Sequence, residues 1–191
     1  NLTSVDITTP HTGAVPASSK WLDIELRCPK ATDFFTSTSA SLKPLVQRIL
    51  VREHNDVIWS NNFRGCPQLQ SVPLFDMQNV TVMGDLFRDA SSLKTVPLFN
   101  TQSATTMGQM FQGARSLVSV PLFDTRNVTN MNNMFNGAIA LKTVPLFDMQ
   151  SVTTMGNMFL GATSLVSVPR FNMPKVLTLQ SMFFGATALV A

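Results

Sequence analysis

Charge is what this chain has least of. Only 13% of its residues are charged, against 45% apolar, where an average soluble domain carries about 25% charged residues. Disorder pairs low hydrophobicity with high charge and is excluded. Ser, Thr, Asn and Gln must therefore cover most of the exterior. From residue 61 onward, eight cations (Arg64, Arg88, Lys94, Arg115, Arg126, Lys142, Arg170, Lys175) face five aspartates (Asp76, Asp85, Asp89, Asp124, Asp148), which accounts for the net charge of +3. Three charges spread that thinly do not make the clustered basic face that nucleic acid requires, so no nucleic-acid partner is expected. Cys28 and Cys66 are too few for a disulfide framework; one bridge or two buried thiols fits that number. No run approaches the ~18 continuous apolar residues of a membrane span, and no membrane insertion is expected. Signal-peptide wording and an initiator Met are missing as well, and the chain is expected to be a piece of a longer protein.

The phrases of catalysis are also missing. His11 and His54 have no Cys or carboxylate cluster at ligand spacing. There is no G-x-S-x-G turn and no glycine-rich phosphate loop. Asp76, Asp124 and Asp148 recur at one spacing, but Asn100 and Asn172 take the same place, which a catalytic carboxylate row would not tolerate. The chain is expected to be non-enzymatic, with no metal and no cofactor.

What is there is a phrase repeated every 24 residues without a gap. Phe recurs at 63, 87, 111, 135, 159 and 183, and Leu at 69, 93, 117, 141, 165 and 189. Val-Pro recurs at 72, 96, 120, 144 and 168, and a second Phe at 75, 99, 123, 147 and 171. Each unit reads L-x-x-V-P-x-F-[DN]-x-x-x-[VA]-T-x-M-x-x-[ML]-F-x-G-A. The stretch L-x-x-V-P-L-F is short, apolar and β-prone, and predicts a short strand. The Asp or Asn after it predicts a turn, because its side chain hydrogen-bonds the backbone two residues on. Asn79, Ser103, Asn127 and Ser151 suit a helix N-cap. Behind the cap, Val128, Met131, Met134 and Phe135 fall at the spacing of a short helix or 3-10 segment, which Gly137 and its equivalents would end. At that spacing the methionines read as core rather than as an adaptable binding face. One unit buries too little apolar surface to offset the entropy of ordering its backbone. Stacked copies shield one another, so the phrase repeats because it is stable only between copies of itself. Proline at a fixed strand position removes one ladder donor per rung, so the strands must be short. The fold class expected is an α/β solenoid: a parallel β ladder with short helical or 3-10 segments.

At V-P-L-F-D-T-R-N-V-T-N-M-N-N-M-F-N-G-A (residues 120–138) the sequence resembles the BspA-type leucine-rich repeats, over residues 61–191. Where that family usually has Cys, this chain has Ala90, Ala114, Ala138, Ala162 and Ala186; only Cys66 keeps it. The swap of small for small implies a tightly packed site without a redox role. The resemblance implies a leucine-rich-repeat solenoid with a surface or adhesion role. Such repeats occur in bacterial surface proteins and in tail or fibre proteins of phages, and V-P-L-F with F-x-G-A is similar to the phage versions.

Outside the repeat, residues 1–19 read as a linker or extended arm. Residues 20–60 read as an N-terminal cap or degenerate first repeat, since Trp59 falls one period before Met83. Within them, residues 21–28 alternate like a strand. The last unit is irregular: Arg170 replaces a Leu, Pro174 enters, and Leu179 replaces a Met. The C-terminal edge is expected to be covered by further chain or another subunit. The sequons at Asn1, Asn79 and Asn127 carry glycans only on a eukaryotic secretory route, and turn chemistry explains the latter two. What remains is surface. The variable strand positions Lys94, Thr95, Val118, Ser119, Lys142, Thr143, Val166 and Ser167 are expected on the exposed strand face. There a hydroxyl stripe with two spaced lysines would meet host-surface polysaccharide or protein; the alternative is a solvated face without a ligand. The expected role is a structural protein on the virion surface of a tailed phage, in a tail fibre or tail tip, touching other virion proteins or further copies of itself. The alternative is a bacterial cell-surface adhesin.

Overall fold

The computed structural model describes residues 5–7, 22–26, 46–51 and 58–190. The first three segments are strands: β1 (Val5–Ile7), β2 (Leu22–Leu26) and β3 (Val46–Val51). They form a parallel sheet in the order β1-β2-β3, with Ile24 of β2 opposite Val5 on one side and Ile49 on the other. The strand expected in residues 21–28 is β2. β1 lies within the segment read as an arm, and β2 and β3 lie within the segment read as a cap. His11, Cys28 and His54 lie outside the described residues, and with Cys28 the question of a bridge to Cys66.

From residue 58 the chain coils into a stack of 24-residue rungs. Single parallel bridges join Ile58 to Val82, Val82 to Thr106, Thr106 to Asn130, Asn130 to Thr154 and Thr154 to Thr178. Beyond each bridge the chain donates alternate N–H groups to the following rung. Met131, Asn133, Phe135 and Gly137 donate to the carbonyls of Thr154, Gly156, Met158 and Leu160 at 2.8, 2.9, 2.9 and 2.7 Å. The remaining polar groups of the segment close turns on themselves: Met134 N–H to Met131 O, Asn136 to Asn133, and Ala138 to Phe135, each at 3.1–3.2 Å. The repeating ladder is thus built from a train of β-turns, which satisfies the backbone between rungs without a continuous strand.

Two sequence expectations are corrected here. Among the described residues there is no α-helix and no 3-10 helix. The spacing that looked helical comes from turns closed three residues apart, which also return residues 131, 134, 135 and 138 to one side. Asn133 and Gly137, at the third position of their turns, have φ of 57° and 72°, a left-handed conformation tolerated best by Gly, Asn and Asp. The glycine therefore makes a turn and caps no helix. Two of the residues read as N-caps serve another purpose: Ser103 Oγ donates to Gln78 O at 2.6 Å and Asn127 Nδ2 to Gln102 O at 2.9 Å, each tying its rung to the one before.

The second correction concerns the ladder's place. Its bridges lie at the V-T-x-M part of the phrase, and within L-x-x-V-P-L-F only the second residue of each rung, among the described residues, bonds to a neighbouring rung. Among the described residues no backbone bond between rungs involves residues 143–147; Lys142 N–H to Val118 O, at 3.1 Å, is the last before them. The buried positions there are Leu141, Val144 and Phe147, a spacing of three, which is the period of an extended polyproline-like chain. A chain with that period needs no ladder donor, so proline is admitted in every rung.

The core is a set of files running along the stack. Phe63, Phe87, Phe111, Phe135, Phe159 and Phe183 stack ring on ring, with centroids 5.5, 5.6, 5.7, 5.7 and 5.6 Å apart. Phe75, Phe99 and Phe123 form a second file at 5.7 and 6.3 Å. The leucine column from Leu69 to Leu165, both methionine columns, and Cys66 with the alanines of its column as far as Ala162 are fully buried to within a few per cent. The methionines are core, as expected. Trp59 fills the place of Met83 one rung earlier, buried beside Phe63 and Phe75. Thr101 and Thr125, also buried, donate their hydroxyls to the carbonyls of Asp124 and Asp148 in the next rung at 2.9 and 2.8 Å.

Candidate binding face

The side of the coil away from the bridges presents its side chains to solvent. In each rung it runs from Lys142 through Thr143, Pro145 and Leu146 to Asp148, with Leu141, Val144 and Phe147 turned inward. Phe147 N–H reaches back to Pro145 O at 3.0 Å, and Phe123 to Pro121 at 3.0 Å. Each closes a three-residue turn about the intervening leucine and directs that side chain outward. The result is a file of exposed leucines, Leu74, Leu98, Leu122 and Leu146, at 66, 59, 57 and 60% exposure.

The residues proposed from sequence sit beside this file. Lys94, Thr95, Val118, Ser119, Lys142, Thr143, Val166 and Ser167 are all exposed, in two adjacent columns. They stand apart from the bridges at Val82, Thr106, Asn130 and Thr154, but Lys94, Val118, Lys142 and Val166 donate their N–H groups to the carbonyls of Gln70, Lys94, Val118 and Lys142 one rung before, at 3.3, 3.2, 3.1 and 2.9 Å, so this column has a backbone file of its own. The hydroxyl groups that do follow the ladder are Thr105, Thr129 and Thr153. Each donates to the threonine carbonyl one rung before, at 3.1, 3.2 and 3.1 Å.

Sequence reasoning missed the leucines, since V-P-L-F reads as one apolar run. Two signals mark them in retrospect. Inward positions spaced by three leave the Leu outside, and Arg170 takes the same column in the last full unit, which a sealed core would not admit.

The aspartate column borders the leucine file on its other edge, and its chemistry is structural. The side-chain oxygens of Asp76, Asn100, Asp124 and Asp148 accept the backbone N–H two residues on, at 3.1, 3.3, 3.3 and 2.9 Å. Asn serves as well as Asp, which accounts for their interchange. Asp124 also accepts from Arg126 Nε at 2.9 Å. That guanidinium hydrogen bond holds the Asp124 carboxyl below its ordinary range, against a partial burial that pushes it up. Between the two rungs lies an open cleft of about 490 Å³, lined by Leu122, Phe123, Asp124, Thr125, Arg126, Leu146 and Asp148. Among the described residues no group of three or more His, Cys, Asp or Glu could hold a metal ion, and no helix is long and apolar enough to cross a membrane.

The arrangement offers an apolar ridge with Lys94 and Lys142 along one edge and Asp76, Asp124 and Asp148, interrupted by Asn100, along the other. The profile of one protein family, described as "Mycoplasma protein of unknown function, DUF285", matches residues 58–164 and 118–191. No curated protein matches. Among solved structures, the chain is similar to the crystal structure of a TLR13–ssRNA13 complex, with a TM-score of 0.29 and 12% identity. That similarity covers 89% of this chain and 35% of the other, so this chain spans about a third of that protein.

Proposed function

This chain belongs to the DUF285 family, and from that premise we propose that it is a non-enzymatic binding solenoid displayed on a surface. One observation carries the reading. Leucine occupies the exposed place of four successive rungs, although nothing in the fold requires an apolar residue there. A contiguous apolar file rimmed by polar side chains is the signature of a contact site. The lysine and hydroxyl columns at Lys94–Thr95, Val118–Ser119, Lys142–Thr143 and Val166–Ser167 widen that contact and give it polar specificity. A protein surface suits the leucines, and host-surface polysaccharide would use the hydroxyls alone. Two settings fit such a module, the virion of a tailed phage and the surface of a bacterial cell. The description of the family as a Mycoplasma protein supports the second.

The test is site-specific photo-crosslinking in the parent assembly, with a benzophenone side chain at Leu122 or, as control, at Thr129 on the ladder side. A protein adduct from position 122 and none from 129 is the expected result. Equal labelling from both, or none from 122, overturns the reading.

A further inference from the structure

We propose that the leucine face is the contact surface of a two-fold dimer of this chain. The inference rests on the binding role above and names the partner. Its basis is the charge pattern across one rung. Lys142 and Asp148 flank Leu146 on opposite edges, and both are exposed. The ion pairs among the described residues are Arg64–Asp85, Arg88–Asp85, Arg88–Asp89 and Arg126–Asp124. Lys142 and Asp148 are in none of them.

The Lys142–Leu146–Asp148 rung is complementary to itself in one orientation, while the neighbouring rungs carry Val118 with Asp124 and Val166 with Asn172. A half-turn about an axis parallel to the stack lays leucine file against leucine file. It brings the lysine edge of each copy onto the aspartate edge of the other, rung level with rung level. A half-turn about an axis across the stack would oppose lysine to lysine, and like charges suppress that mode. By symmetry the favoured arrangement forms the Lys142–Asp148 pair twice. Lysine lies four residues from the leucine and aspartate only two, and the long lysine stem spans the difference while lying along apolar surface. The open cleft beside Leu122 and Leu146, with Asp124 and Asp148 in its lining, receives the ammonium of the second copy. Arg126 pairs with Asp124 and is attracted at longer range by Asp148; Asp148 itself is in no ion pair among the described residues, and it is the carboxylate the ammonium would meet.

The face measures about 20 Å along four rungs and about 18 Å across six extended residues. That is roughly 360 Å² per copy, below the ~1,000 Å² total of a stable interface, so the dimer is expected to be transient and to dissociate on the order of 100 µM.

Sedimentation velocity over a concentration series tests this. The wild-type chain is expected to associate reversibly. Lys142→Glu sets acid against acid and is expected to weaken association at least tenfold, roughly the effect of losing the two pairs and adding repulsion. Asp148→Asn keeps the turn, as Asn100 does, and is expected to weaken association by a smaller factor. Asp148→Lys is expected to abolish association alone, and an equimolar mixture of Lys142→Glu with Asp148→Lys to restore it as a heterodimer. Melting curves show that each variant is folded. A wild type that stays monomeric to about 1 mM, or charge variants that associate as the wild type does, overturns the dimer. If crosslinks from Leu122 then still reach a different protein, the binding role stands without self-association. If they reach nothing, both fall.

Discussion

The two sides of the coil solve the same stacking problem differently. On the turn side, four backbone N–H groups per rung, at Met131, Asn133, Phe135 and Gly137, lock to the next rung. On the L-x-x-V-P-L-F side, residues 143–147 contribute none among the described residues, and the chain is held by Leu141, Val144 and Phe147 in the core. Where the backbone makes the bonds, the outward side chains are short and polar and bond along the ladder. Where the side chains do the holding, every third residue suffices, and the others are released for the surface. The difference places stability on one side and recognition on the other.

The largest effect should come from the shared core. Phe135 stacks on Phe111 and Phe159 and is fully buried, so Phe135→Ala is expected to cost about 3–5 kcal/mol by chemical denaturation. A loss under 1 kcal/mol would mean that the file is not a continuous core.

The turn side breaks next. Gly137 has φ of 72° and room for a methyl, with no atom nearer than 3.8 Å to an added Cβ. Gly137→Ala is expected to cost about 1–2 kcal/mol through backbone conformation alone. The converse is already written in the chain. Asp89 occupies the glycine column with φ of 60°, and Asp89→Gly is expected to stabilise by about 0.5–1 kcal/mol. Urea midpoints of the two variants should move in opposite directions, and movement in the same direction would refute the turn assignment.

The leucine side should be indifferent to the same treatment. Leu122→Ser is expected to change stability by no more than about 0.5 kcal/mol while removing the contact read by crosslinking. A large loss of stability would place Leu122 in the core and undo the contrast.

Acid gives the smallest effect. The Asp124 carboxyl is held below its unfolded value of 3.8, chiefly by the hydrogen bond from Arg126. Its contribution is therefore complete above that value and is lost as pH falls through the lower, folded value. The pair is at the surface and screened. Arg126→Ala should leave the melting temperature at pH 7 within about 2 °C of wild type and narrow even that gap at pH 2.

Much of this was legible in one dimension. The 24-residue period, the two phenylalanine files, the leucine and alanine columns and the turn role of Asp76, Asp124 and Asp148 all follow from residue spacing and local chemistry. Two elements were misplaced for a common reason. Val128, Met131, Met134 and Phe135 match a helix, yet successive turns closed over three residues reproduce those intervals. Val144-Pro145-Leu146-Phe147 matches a strand, yet its inward period is three. Short windows with intervals of two, three and four do not separate these conformations. The hydrogen bonds that do separate them join residues 23 or 24 positions apart.

The sequence by itself determined that this protein is a stack of like units with phenylalanine and methionine columns inside it, because a period repeated without a gap leaves identical residues only identical neighbours. Which stretch carries the ladder, and which leucine of the phrase faces water, were decided only by the tertiary structure. Both depend on where each backbone N–H finds its acceptor on the adjoining rung, and that partner exists only once the coil has closed.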